Sequence, residues 1–440
     1  MALRWWTGTD REIFRLAVPA FAALVSEPLF LLADAAIVGH LGTAQLAGLG
    51  IAGAVLQTLL GVFVFLAYAT TASVARQLGA GDRRRALAQG VDGLWLALAL
   101  GLLTLLVGVA LAEPIVTLFG PDPAVSTHAV TYLRISSLGL PAMLLVLAAT
   151  GVLRGLLDTR TPLMVAIAAN VANVVLNLAL VYGAGLGIAG SAIGTVLAQV
   201  GAAVALMVVV VRGARGYGAP LTPDLTGIRT AGRLGVPLLM RTLTLRAALL
   251  VTTYVATAQG AASLAAHQVA FTLWTFLAFA LDAIAIAAQA LTGRTLGAGD
   301  VASTRALTRR MMGWGIVSGV VTGGLLFGTR DLLAPLFTPD PAVQGLLTAV
   351  LVVAALQQPV AGVVFVLDGV LIGAGDGAYL AWAGVITLAC FVPLALLVLA
   401  SSGGLLWLWA AFGAFMTARL VTLVVRERGD VWLVTGAAIR

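Results

Sequence analysis

Two carboxylates interrupt an otherwise apolar stretch, SEPLFLLADAAIVG (26–39): Glu27 and Asp34. Seven residues make about two helical turns, so both acids fall on one helix face. An ionisable group at membrane depth is costly and faces a cavity or a partner, where it can bind a cation or exchange a proton. The three asparagines of the chain, Asn170, Asn173 and Asn177, lie together farther along, at spacings of three and four that form one stripe. Helical rise counted from the cytoplasmic helix ends puts Asn173 and Asn177 at roughly 17–22 Å, Glu27 at about 20 Å and Asp34 farther out. This stripe and the acid pair are read as lining a hydrated ion or substrate chamber. The plainer alternative is that the asparagines join helices through interhelical hydrogen bonds.

Arg241, Arg246, Asp282 and Asp368 also fall within apolar segments. They are candidates for a cavity, but read first as a structural ion pair, since buried charges need partners whatever the function. Asp92 and Arg134 lie near helix ends, where snorkelling to the interface is expected. No metal site is expected from His40, His128 and His267, which are scattered without ligand spacing. No HExxH, GxSxG or clustered acidic motif is present to carry an enzymatic reaction. The lone Cys390, in an apolar run, reads as a small hydrophobe.

The elements that hold these groups follow from composition. Hydrophobic residues are 61% of 440, charged residues 10%, and mean hydropathy is +1.06, which defines a polytopic membrane protein. Apolar runs bounded by Arg, Gly and Pro predict twelve helices, near 14–38, 46–72, 87–112, 128–150, 162–183, 188–211, 231–257, 264–292, 306–328, 345–367, 378–400 and 403–425. The first, which follows Arg4 and Arg11 but contains two acids, is read as a retained span and not as a signal peptide. All 25 basic residues are arginines, and 21 of them, from Arg4 to Arg440, fall at the termini and in alternate loops. By the positive-inside rule both termini are cytoplasmic. The net charge of +7 then follows from topology, and nucleic-acid binding is not expected.

The chain also repeats itself. LFGPDPAV (118–125) returns as LFTPDPAV (336–343), RLAVP (15–19) as RLGVP (233–237) and LGAGD (78–82) as LGAGD (296–300), always 218 positions apart without a gap. Residues 1–218 and 219–440 are therefore two copies of a six-helix lobe. An even number of spans per copy makes the repeats parallel, related by an axis along the membrane normal, as in transporters with a substrate path between halves. The acid pair belongs to the first copy, because the counterparts of Glu27 and Asp34 are Leu245 and Thr252. Arg246 is the counterpart of Pro28.

EPLFLLADAAIVGHLGTAQLAGLG (27–50), NVVLNLALVYGAGLGIAGSAIGT (173–195), the paired LGAGD turns and VLDGVLIGAGD (366–376) resemble the multidrug and toxic compound extrusion (MATE) transporters, in particular their DinF-like branch. That resemblance implies an all-α fold of twelve transmembrane helices in two lobes and no cofactor. It implies export of small organic compounds, cationic or amphiphilic, by exchange with protons. Sodium coupling, or flipping of a lipid-linked precursor, are the alternatives. A monomer surrounded by membrane lipids in a bacterial cytoplasmic membrane is expected. The family's first-helix acid maps onto Asp34 and its fifth-helix asparagine onto Asn173. The aspartate that follows four residues later in the archaeal-type motif is Asn177 here, so Glu27 is the candidate to supply the second titrating group. Protonation of Asp34 from the outer side would remove the cost of burying its charge and let the first helix bend at Pro19 or Pro28.

Overall fold

The computed structural model describes residues 7–401 and 403–437, so Arg4 and Arg440, counted above as cytoplasmic, lie outside the described residues. The described chain is all helical. In order the helices are α1 (Gly8–Gly39), α2 (Thr43–Phe63), α3 (Phe65–Gly79), α4 (Arg83–Thr117), α5 (Pro123–Ser137), α6 (Leu140–Gly155), α7 (Arg160–Leu178), α8 (Gly187–Gly216), α9 (Leu225–Ala258), α10 (Ala261–Gly297), α11 (Val301–Phe337), α12 (Pro341–Ala374), α13 (Gly377–Ala400) and α14 (Leu405–Arg428). A π-helical turn, Ala179–Gly183, continues α7.

Taking α2 with α3, α7 with its π turn, and the bent pair α5 and α6 as single spans gives twelve membrane crossings, one for each predicted segment. The helices outrun the predicted spans: α10 and α11 each have 37 residues, about 56 Å at helical rise against a hydrocarbon core of about 30 Å. Polar caps extend them into water. Asp82 and Asp300, the last residues of the two LGAGD turns, accept from the backbone N–H of Arg85 and Ser303 and start α4 and α11. In both PDPAV segments the aspartate is the N-cap and the following proline opens the helix, where its missing N–H costs nothing.

The repeat is visible in packing. Gly151 on α6 lies so close to α3 that a Cβ would stand 2.6 Å from the Ala67 carbonyl oxygen, and its counterpart Gly369 on α12 meets Ala285 of α10 in the same way. Gly101 faces Pro141 as Gly319 faces Pro359, a Cβ in either place falling 2.6 Å from the proline Cα. Small residues at these crossings let helix backbones touch, which is how helices associate where lipid leaves no hydrophobic drive.

Two compact units result. One is Ala22–Gly235; the other joins the N-terminal segment through Phe21 to the chain from Val236 onward. Compactness therefore divides the chain inside α1, whose first turns pack with the second repeat: Asp10, fully buried, accepts from Arg310 Nε (2.7 Å) and Nη2 (2.8 Å) and from Trp314 Nε1 (2.7 Å). Glu12 pairs with Arg294 at 2.6 Å.

Candidate transport site

Four helices of the 22–235 unit bring Asp34 into a closed hydrogen-bond network. The carboxylate, 3% exposed, receives Asn177 Nδ2 (2.8 Å, α7) and Ser191 Oγ (2.6 Å, α8) on one oxygen and Tyr132 Oη (3.1 Å, α5) on the other. Asn177 Nδ2 also reaches Asn173 Oδ1 at 3.1 Å, and Asn173 Nδ2 donates to Thr195 Oγ1 at 3.0 Å. All of these partners are neutral, and among the described residues no cation pairs with Asp34. The network rests on local backbone. α7 and α8 approach closely because Gly194 faces the Asn177 side chain, and the π turn that follows Asn177 closes with Ala184 N–H donating to the Ala179 carbonyl at 2.8 Å. Single π turns often accompany functional sites.

Beside the network lies a cavity of about 260 Å³, inside the same unit, with Asp34, Tyr132, Thr195, Gln57 and Gln199 among apolar walls such as Phe30 and Leu49. An apolar chamber with a few converging polar groups is the usual form of a small-molecule site.

Asp34, Asn173 and Asn177 thus meet as one group. The expected depth match does not hold as counted: Asp34, and not Glu27, stands level with Asn177. The count took helix starts as membrane edges, whereas α1 begins at Gly8 and spends its first turns on the Asp10 contacts. Glu27 is exposed on α1 and accepts from Gln57 Nε2 at 3.2 Å, outside the Asp34 network. Asn170 donates to the Ser26 carbonyl at 3.1 Å, an interhelical bond of the plainer kind considered above. Tyr132, Ser191 and Thr195 were not read from sequence. Ser191 and Thr195 stand four apart in GIAGSAIGT and so share a helix face, the one signal available for them; a lone Tyr132 gives none.

In the other unit Asp368 on α12, 4% exposed, pairs with Arg241 of α9 and with Arg419 of α14 at 3.1 Å. Arg419, one of the 21 arginines assigned from sequence to termini and loops, is therefore a largely buried ion-pair partner within α14. Arg76, also counted there, is fully buried in α3. Asp376, at the end of the same VLDGVLIGAGD motif, binds Arg426 through two bonds of 2.6 and 3.0 Å. Asp282 is half-buried on α10, and Arg246 is exposed on α9 with no ion pair among the described residues. Asp92 is not a snorkelling surface acid: it is 8% exposed and accepts the Asp224 N–H at 3.3 Å, just before α9 starts.

Twelve apolar spans in two sequence repeats, with a buried acid beside a partly open cavity, define a membrane transporter built by duplication. The chain belongs to the MatE family, the multidrug and toxic compound extrusion transporters: the family matches residues 19–179 and again 237–398. It is a multi-pass efflux transporter and not an enzyme. It is 32% identical over 432 residues to Protein DETOXIFICATION 44, chloroplastic, of Arabidopsis thaliana, covering 93% of this chain and 80% of that protein. To the DNA damage-inducible protein F of Escherichia coli it is 30% identical over 438 residues, covering 96% and 93%. A crystal structure of MATE in the bent conformation superposes with a TM-score of 0.88 at 21% identity, over 96% of both chains.

Proposed function

We propose that the protein exports small organic compounds, cationic or amphiphilic, in exchange for protons, with Asp34 as the coupling group. One observation carries this reading: a buried carboxylate, held only by neutral donors, borders a cavity of about 260 Å³. Such an acid can gain or lose a proton without breaking an ion pair, and each change alters the charge seen by a cation in the chamber. Proton and cationic substrate then exclude one another, and only a group whose charge differs between states can bias a conformational equilibrium. Asn173 and Asn177 orient the carboxylate and satisfy it when ionised. The arginine distribution supports both termini on the inner side of the membrane, the side from which an exporter draws its cargo.

The test is transport by purified protein in vesicles, with a pH gradient and a sodium gradient imposed separately. Substrate-dependent dissipation of the pH gradient, lost in Asp34→Asn, is the expected result. Transport driven by sodium alone would replace the proton reading, and movement of labelled lipid without ion exchange would replace both.

A further inference from the structure

A second cavity, of about 440 Å³, lies between α6 and α8 and begins at the α5–α6 bend. It is a groove with apolar walls: Leu138, Pro141 and Leu145 on one side, Val204, Val208 and Val211 on the other. Leu138 and Val204 are more than half exposed, so the groove is open along the surface of the 22–235 unit. Along α8 its lining runs from Val200 to Val211, which at helical rise is about 17 Å, close to half of a hydrocarbon core of about 30 Å.

The groove ends at two cations. Arg212 follows Val208, and Arg215 follows Val211, by four residues each, so both arginines continue the stripe that walls the groove. Their side chains are exposed, and neither has a hydrogen bond or ion pair among the described residues. No Asp or Glu occurs in α6 or α8 to neutralise them. An apolar groove as long as one leaflet, with two unpaired cations at its end, is complementary to a lipid with an anionic headgroup. The acyl chain gains by leaving its looser surroundings for a shaped wall, and guanidinium groups bind phosphate oxygens strongly. We infer that the groove between α6 and α8 holds one anionic phospholipid, its acyl chain against Val204 and Val208 and its phosphate on Arg212 and Arg215. A soluble anion would use the arginines alone and an apolar cargo the groove alone; the lipid uses both.

The test titrates purified full-length protein with dioleoyl phosphatidylglycerol and with dioleoyl phosphatidylcholine and counts bound lipid by native mass spectrometry. Wild type should retain one phosphatidylglycerol in preference to phosphatidylcholine. Arg212→Ala combined with Arg215→Ala should weaken that lipid about thirtyfold, as expected for two lost cation contacts, and leave phosphatidylcholine unchanged, which also reports that the variant is folded. Val204→Trp, at an exposed position of the wall, should fill the groove and weaken both lipids. Equal binding of the two lipids by wild type, or an undiminished preference in the double alanine variant, overturns the inference. So does a Val204→Trp protein that binds phosphatidylglycerol like wild type, because the lipid then sits outside the groove. Displacement of the lipid by an equal concentration of glycerol 3-phosphate would show an anion site that makes no use of the groove, and displacement by tetraphenylphosphonium would assign the groove to cargo; either result overturns it too. If the double alanine variant binds neither lipid, Arg212→Lys with Arg215→Lys, which keeps the charge, must recover phosphatidylglycerol; failure there overturns the inference.

Discussion

The two repeats share a spine and differ in what surrounds it. At the helix crossings Gly151 and Gly369, and Gly101 and Gly319, make the same contacts. Around Asp34, however, the first repeat is interrupted three times: at Val64 between α2 and α3, at Leu138–Gly139 between α5 and α6, and at the π turn Ala179–Gly183. The counterparts in the second repeat, α10, α12 and α13, run unbroken. Proline alone does not explain the α5–α6 break, because Pro141 and Pro359 are equivalent and α12 continues through Pro359. Among the positions that differ is the residue two places earlier, Gly139 in one copy and Gln357 in the other. Glycine is the poorer helix former, and the Gln357 side chain donates to the Trp409 carbonyl at 2.8 Å. Breaks forfeit backbone hydrogen bonds, and here they gather in the copy that holds the chamber.

The buried acids differ correspondingly. Asp34 is surrounded by neutral donors, whereas Asp368 lies between two guanidinium groups. The first can change charge; the second is fixed by its partners. Substitution by asparagine should separate them with the largest effect of any single change. Asp34→Asn should fold with little change in melting temperature and lose proton-driven efflux. Asp368→Asn leaves two largely buried arginines without their carboxylate and should cost about 3–5 kcal/mol, seen in detergent melting. A strongly destabilised Asp34→Asn, or an unperturbed Asp368→Asn, would erase the distinction.

The spine can be tested next. Gly151→Ala and Gly369→Ala each put a methyl group against a facing carbonyl, and overpacking of this kind costs typically about 1–3 kcal/mol. Similar losses of melting temperature in the two variants are expected. A loss in one alone would mean that the close crossing is a property of one repeat.

The third comparison concerns the starts of α1 and α9. Arg310 and Asp92 are equivalent positions, 218 apart, and each receives the start of a helix: Arg310 binds Asp10 of α1, and Asp92 accepts the Asp224 N–H ahead of α9. One contact is a charged pair with two bonds, joined by a third from Trp314, and the other a single bond of 3.3 Å. Asp10→Ala should cost about 1.5–3 kcal/mol, with Arg310 37% exposed and so partly rescued by water, and Asp92→Ala less. Limited proteolysis near residue 8 should accelerate in Asp10→Ala only.

Spans, arginine asymmetry and repeat were legible because each is written in residue type and spacing. Asp34 and its asparagines were legible because polar residues stand out against an apolar background. Tyr132, Arg76 and Arg419 were not, since their roles depend on which helices touch, and composition around them looks like any helix end. The helix breaks were equally hidden: PDPAV and Pro141 are repeated faithfully in the copy that does not break.

The smallest expected effect lies at the two LGAGD caps, where the repeats are nearly alike. Asp300 accepts from the Ser303 hydroxyl and backbone N–H, which holds its carboxyl below the ordinary value, whereas the residue three after Asp82 is Arg85, whose side chain has no hydroxyl. A depressed folded-state pKa stabilises the fold above the unfolded-state value, near 3.9 for aspartate, and that stabilisation disappears as pH falls through the folded-state value. The melting difference between wild type and Asp300→Ala should therefore be constant from about pH 8 to pH 5 and shrink below about pH 4. Ser303→Ala keeps the backbone bond and removes the hydroxyl, so it should move the onset of that loss to higher pH. A melting difference that instead grows on acidification would mean that Asp300 favours the protonated form, and that its cap is not formed as described.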